Sequence, residues 1–225
     1  MRIKILRRQS SDTKPYWQEF NIDKNNELSI AGVLEQLNSR DELRDVEGVV
    51  AKRIEWECSC MQGMCGACAM VINKRPALAC EVFLRDIKTD TITLEPLSKF
   101  PTIRDLVVDR SIIEDNLRKV HAYIEEFKGN NPKIYDQMYS VGKCLKCGLC
   151  LEVCPNYKSG KNFFGTAFAH ESFLIASRSK TREEDIRKSY TTHFETGCSK
   201  SLSCSDVCPM NIKTIASIGR MNKGK

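Results

Sequence analysis

Cys144-Leu-Lys-Cys147-Gly-Leu-Cys150-Leu-Glu-Val-Cys154-Pro155 is the stretch on which the reading of this chain turns. Its spacing, C-x2-C-x2-C-x3-C-P, is the run that binds iron–sulfur cubanes in bacterial-type dicluster ferredoxins. There three thiolates hold one cluster, and the cysteine before proline reaches a second, because proline lacks an N–H and redirects the backbone. The run therefore predicts a partner set. Cys198, Cys204 and Cys208, the last followed by Pro209, supply it. If Cys208 crosses back in the same way, Cys144, Cys147, Cys150 and Cys208 make a four-thiolate set for a [4Fe–4S] cluster. Cys154, Cys198 and Cys204 are left, and Ser201 stands where a regular run would place the middle cysteine. Three thiolates suit a [3Fe–4S] cluster, and a serine alkoxide holding a fourth iron is the alternative.

Further toward the N-terminus, Cys60-Met-Gln-Gly-Met-Cys65-Gly-Ala-Cys68, followed by Cys80, has the C-x4-C-x2-C…C spacing of plant-type [2Fe–2S] proteins. Three thiolates this close must come from a loop wrapped tightly around a small cluster, and Gly63 and Gly66 permit the backbone such a loop needs. A zinc site is the competing reading, although zinc sites favour two well-separated cysteine pairs. Of the 12 cysteines only Cys58 is unassigned, and it reads as a spare, partly buried thiol. His121, His170 and His193 lack ligand spacing to the cysteines and read as surface or helix residues rather than Rieske ligands.

The rest of the composition narrows the class. At 225 residues the chain can bury a proper core, so its cysteines are not needed as disulfide staples. The opening Met1-Arg-Ile-Lys-Ile-Leu-Arg-Arg lacks the apolar core of a secretory signal, which points to a reducing, cytoplasmic compartment. No run approaches the roughly 18 apolar residues of a spanning helix. The balance of 35 Lys+Arg against 29 Asp+Glu gives a net charge of +6, without the aromatic-interleaved basic face that would favour nucleic acid. No G-x-G-x-x-G and no local Ser/His/Asp or paired-carboxylate signature occurs, so chemistry at carbon is expected on another polypeptide and no catalytic residue is expected here.

Two halves are expected, 1–105 and 106–225. In the first, Ile3 and Ile5 alternate with charged neighbours, Tyr16 to Ile22 is rich in aromatics, and Thr89 to Leu94 closes at Pro96, all strand-like. Ile30, Val33, Leu34 and Leu37 behind a capping Ser29 predict one amphipathic helix. From Pro101 onward, Ile103, Leu106, Val107, Ile112, Ile113 and Leu117 lack alternation, and the remainder reads as helical with cysteine-bearing loops. Turns are expected at Asn130 to Pro132 and at Lys158 to Lys161, and Thr181 to Lys188 reads as a charged, exposed stretch. The fold class is α+β.

Taken together, these motifs resemble the iron–sulfur subunit of the succinate dehydrogenase and fumarate reductase family over nearly the whole chain. Pro101-Thr-Ile-Arg-Asp-Leu-Val-Val-Asp109 is similar to the segment that leaves the family's first domain. Phe164-Gly-Thr-Ala167 and Phe173-Leu-Ile-Ala-Ser-Arg178 are similar to its phenylalanine-glycine and Ser-Arg region. The resemblance implies an N-terminal β-grasp plant-type ferredoxin domain followed by an α-helical bacterial-type dicluster domain. It also implies a place between an FAD-bearing flavoprotein subunit that handles the dicarboxylate and a membrane anchor that handles quinone. Electrons would pass along flavin, [2Fe–2S], [4Fe–4S], [3Fe–4S] and quinone. The chain would be peripheral at the cytoplasmic face of the inner membrane, held there by its partners.

In many family members tryptophans after the first Cys-Pro, and a histidine after the first cysteine of the third set, contribute to the quinone pocket. Lys158, Ser159 and Ser199 stand at those places here, which points toward a fumarate-reductase-like menaquinone system or an altered electron partner. Two other readings are open: a soluble multi-cluster electron carrier, and the same relay serving a flavoprotein with a different substrate.

Overall fold

The computed structural model describes residues 1–223 and divides into two compact units, one spanning Met1–Asp109 and one beginning at Arg110. In the first, β1 (Arg2–Arg7), β2 (Tyr16–Asn21), β3 (Ala69–Ile72), β4 (Arg75–Leu78) and β5 (Thr91–Glu95) form one sheet in the order β2-β1-β5-β3-β4. β1 runs parallel to β5, and the other pairings are antiparallel. The alternation of β1 puts Ile3 opposite Ile92 and Ile5 opposite Leu94, all four fully buried. Each such side chain contributes roughly 1.5–3 kcal/mol relative to exposure. Between β2 and β3 lies α1 (Ile30–Asn38), where the Ser29 hydroxyl accepts from Gly32 N at 3.2 Å, and Ile30, Val33, Leu34 and Leu37 form the buried face. This mixed sheet with its single long helix is the expected β-grasp.

The segment after Pro101 departs from the helical expectation. Thr102–Arg104 (β6) and Val107–Val108 (β7) pair as a short hairpin, and helix starts only at Ser111. Long-range polar contacts override the local pattern. Asp105, at φ +42°, is buried against Arg7 at 3.0 Å and accepts from the amides of Arg8 and Glu55 at 2.8 and 3.0 Å. The hairpin therefore belongs to the sheet unit.

The second unit contains α2 (Ser111–Lys119), α3 (Tyr135–Gly142), α4 (Leu149–Val153), α5 (Gly165–Arg178), α6 (Glu183–His193), α7 (Ser203–Asp206) and α8 (Thr214–Asn222). A helix buried on all sides belongs at the centre of a bundle, and α5 is that helix, with α2, α3, α4, α6 and α8 packed against it. Its first residue, Gly165, is at φ +77°, and a Cβ there would collide with Leu151 of α4. Close packing of α5 on the helix that carries Cys150 thus depends on glycine. The stretch Thr181 to Lys188, expected only as exposed charge, begins α6 instead: Glu183, Glu184 and Asp185 occupy its first turn, where they complement the helix dipole.

Candidate metal centres

The loop from Cys60 to Cys68 is shaped by the rest of the sheet unit. Asn38, at the end of α1, clamps both backbone groups of Ile54 at 2.8 Å just upstream of the loop. Downstream, Ala79 N donates to Cys68 O at 3.0 Å, while the first turn of α1 donates to the carbonyls of Ala79 and Val82 on either side of Cys80. These bonds bring the sulfurs of Cys68 and Cys80 within 3.4 Å of each other, both residues buried. Within the loop the amides turn inward. Gln62 N and Met64 N donate to Cys60 Sγ at 3.4 and 3.3 Å, Ala67 N to Cys65 Sγ at 3.5 Å, and Gly63 N to Cys80 Sγ at 3.2 Å. Gly63 is at φ +70°, and a Cβ on it would run into the Glu81 carboxylate.

Such N–H groups favour a charged sulfur over a neutral one. The amides of Gln62 and Met64 pull the Cys60 thiol down to about 7. Burial, reinforced by the hydrogen bond with Cys68, pushes Cys80 up to about 12. One lobe of the site is ready to be anionic and the other needs a cation to make it so. A bound metal supplies that, since a coordinating thiol is deprotonated outright. Cys58, expected to be partly buried, is exposed, with its sulfur 3.3 Å from Met61 Sδ.

In the helical unit the cysteines line two cavities. Cys144, Cys147, Cys150 and Cys208 share the first with Cys204 and with His170 of α5. Cys154, Cys198 and Cys204 share the second with Ser199, Lys200 and Ser201. Cys204 lines both, so the two cavities are neighbours. Local backbone explains the placement: Lys146 at φ +51° and Gly148 at φ +89° turn the run between its cysteines, and Cys154 ends α4 in extended geometry before Pro155. Lys146 Nζ also reaches Glu114 and Glu171 at 3.5 and 3.4 Å, tying the Cys144–Cys147 loop to α2 and α5.

Burial raises the thiols of Cys144 and Cys198, lifts Cys147 to about 11 and takes Cys150 well above the ordinary range. Bare thiolates are disfavoured there, and a polycationic iron core offsets that cost. Among the described residues no group of three or more His, Cys, Asp or Glu side chains is spaced for a single metal ion. A cluster does not need that spacing, because its thiolates are divided over several irons. The all-cysteine donor sets, at plant-type and bacterial-type spacing, fit iron–sulfur clusters.

His170 carries no sequence signal for a role at the first cavity. It is 3% exposed, its Nε2 lies 3.3 Å from Thr214 Oγ1, and its Nδ1 has no partner among the protein atoms. Desolvation lowers its pKa to about 4 and keeps the ring neutral. Of the other histidines, His193 stacks on Phe164 with centroids 4.0 Å apart, and His121 is exposed.

Comparison with known proteins settles the family. The family model for a 2Fe-2S iron-sulfur cluster binding domain matches residues 2–115, and that for a 4Fe-4S dicluster domain matches 140–212. The succinate dehydrogenase iron-sulfur subunit of Bacillus subtilis is 31% identical, over 99% of this chain and 91% of that protein. This chain belongs to the family of succinate dehydrogenase and fumarate reductase iron–sulfur subunits. The fumarate reductase iron-sulfur subunit of Wolinella succinogenes is 28% identical, over 96% of this chain and 92% of that protein. A chain of the Mycobacterium smegmatis Sdh1 complex in the apo form shares the fold, with a TM-score of 0.76, 21% identity and coverage of 100% and 96%. As an iron–sulfur subunit of this family, the chain is an electron-transfer component of an oxidoreductase. Among the described residues no helix is long and apolar enough to cross a membrane.

Proposed function

We propose that this chain relays single electrons between a flavoprotein that interconverts succinate and fumarate and a quinone at a membrane anchor. Cys60, Cys65, Cys68 and Cys80 hold a [2Fe–2S] cluster, Cys144, Cys147, Cys150 and Cys208 a [4Fe–4S] cluster, and Cys154, Cys198 and Cys204 a [3Fe–4S] cluster. The observation that carries this reading is the gathering of these cysteines into one loop site and two adjoining cavities, the second cavity presenting Ser201 and no fourth cysteine. Bound there, the clusters take up and release one electron at a time, which lets two-electron flavin chemistry meet two-electron quinone chemistry. The chain's own work is to hold them. Amides of Gln62, Gly63, Met64 and Ala67 stabilise charge on the sulfurs of the first site, and the helical unit buries the thiols of the second among Leu145, Leu149, Ala167 and Ile212.

The quinone is menaquinone, on the grounds that Lys158, Ser159 and Ser199 stand where many family members place the tryptophans and histidine of the quinone pocket. Partner subunits hold the chain at the cytoplasmic face of the membrane. Replacing Cys65 by Ala tests the relay in the complex purified with its partners. It should remove the two-iron signal and abolish quinone reduction by succinate, while reduction of a small artificial acceptor at the flavoprotein continues. Quinone reduction at the wild-type rate without the two-iron signal would overturn the proposal. Isolation of the iron-loaded chain as a lone soluble carrier, with no flavoprotein co-purifying, would favour the carrier reading instead.

A further inference from the structure

Among the buried polar atoms without a protein partner is Nδ1 of the His170 imidazole, which lines the first cavity of the helical unit. Neutral imidazole carries one N–H, and a buried N–H without an acceptor costs about 1–3 kcal/mol. Thr214, within hydrogen-bond distance of the ring, can fix which nitrogen bears the proton. Its hydroxyl lies 3.3 Å from His170 Nε2, nearer than its other acceptor, Ile212 O, at 3.5 Å. With the hydroxyl proton given to Nε2, the ring proton sits on Nδ1, the nitrogen with no protein partner. His170 lines the cavity shared by Cys144, Cys147, Cys150 and Cys208, and its chain neighbour Glu171 grips Lys146 in the loop between two of those cysteines at 3.4 Å. α5 is thereby fixed against that loop, and a sulfur of a cluster bound in this cavity is the acceptor that the Nδ1–H tautomer would need.

We propose that His170, oriented by Thr214, donates its Nδ1–H to a sulfur of the four-iron cluster and raises that cluster's reduction potential. The inference rests on the ligand set assigned above. Hydrogen bonds to cluster sulfurs stabilise the more negative, reduced state and are among the levers that set its potential. His170 is then a positioning and tuning residue rather than a ligand.

The test is a redox titration of the iron-loaded complex, followed by electron paramagnetic resonance, on wild type, His170→Leu and His170→Gln. At a fixed ambient potential, His170→Leu should lower the reduced-to-oxidised ratio of the four-iron cluster about tenfold, a shift of about 59 mV for one electron. His170→Gln, which keeps an N–H donor, should recover part of that loss, and the two-iron and three-iron potentials should stay where they are. A loaded His170→Leu protein with an unmoved four-iron potential would overturn the proposal. Should His170→Leu fail to load, wild-type complex carrying 15N-histidine decides: a histidine nitrogen coupling on the reduced four-iron signal supports the bond, and its absence refutes it. Failure of the underlying ligand assignment looks different, because Cys147→Ala would then leave the four-iron signal intact.

Discussion

At the residue scale, a single side chain separates the two cubane sites. The second cavity contains Ser201, at the place where a C-x2-C-x2-C run starting at Cys198 would have its middle cysteine. Ser201→Cys should convert the three-iron cluster to a four-iron one, erasing the three-iron signal of the oxidised protein and lowering the potential of that centre. A three-iron signal of unchanged intensity in the variant would contradict the assignment of Cys154, Cys198 and Cys204. The ligand candidates were legible in the sequence because cluster spacing is local: Cys60, Cys65 and Cys68, and Cys144, Cys147 and Cys150, each lie within nine residues, and the Cys-Pro ending shared by Cys154 and Cys208 points to the third set. His170 was not legible. Its role depends on which face of α5 meets the Cys144–Cys147 loop, and the surrounding Phe-Ala-His-Glu-Ser has no periodicity that reveals it.

At the element scale, ion pairs place the segments that the hydrophobic pattern alone misassigns. Arg7 on β1 binds Asp105 in the β6–β7 hairpin at 3.0 Å and donates to the carbonyls of Lys52 and Arg53, with both charged side chains almost wholly buried. Arg7→Met leaves the Asp105 charge without its partner and should cost ~3–5 kcal/mol in urea unfolding of the iron-loaded chain. A loss under about 1 kcal/mol would show that the pair does not hold the hairpin. This contact also explains why Pro101 to Asp109 looked helical: its partners lie some 50 to 100 residues away, at Glu55, Arg7 and Arg8, beyond any local pattern. On α6, burial alone would raise the Glu183 carboxyl. Lys128 at 2.6 Å and Arg187 at 3.2 Å outweigh burial and hold it below the usual carboxylate range. A folded pKa below the unfolded one stabilises above the unfolded value and loses that effect as pH falls through the folded value. Glu183→Gln should therefore cost ~0.5 kcal/mol near neutral pH, the scale of a screened surface pair. The difference between wild type and variant should vanish in acid; a gap that widens below pH 4 would refute this pairing. The acidic first turn of α6 was visible in the sequence as charge, and its helical meaning follows from Ile186 and Tyr190, which turn inward to the core.

For the whole molecule, two units built on different principles carry one chemistry. The sheet unit wraps a loop of inward-turned amides around one site, whereas the helical unit seats two sites in adjoining cavities between its helices. The fold class was readable because each cysteine pattern belongs to one kind of scaffold, and the alternation of β1 and the face of α1 agree with it. What the sequence could not display was the shared wall between the two cavities, which Cys204 provides only once α4 and α7 have packed together. On this assignment the chain carries three distinct clusters. Electron paramagnetic resonance of the anaerobically purified complex, oxidised and then dithionite-reduced, tests it most directly. A three-iron signal is expected in the oxidised sample and a two-iron signal on reduction. Bound zinc, or a single kind of cluster in both states, would contradict it.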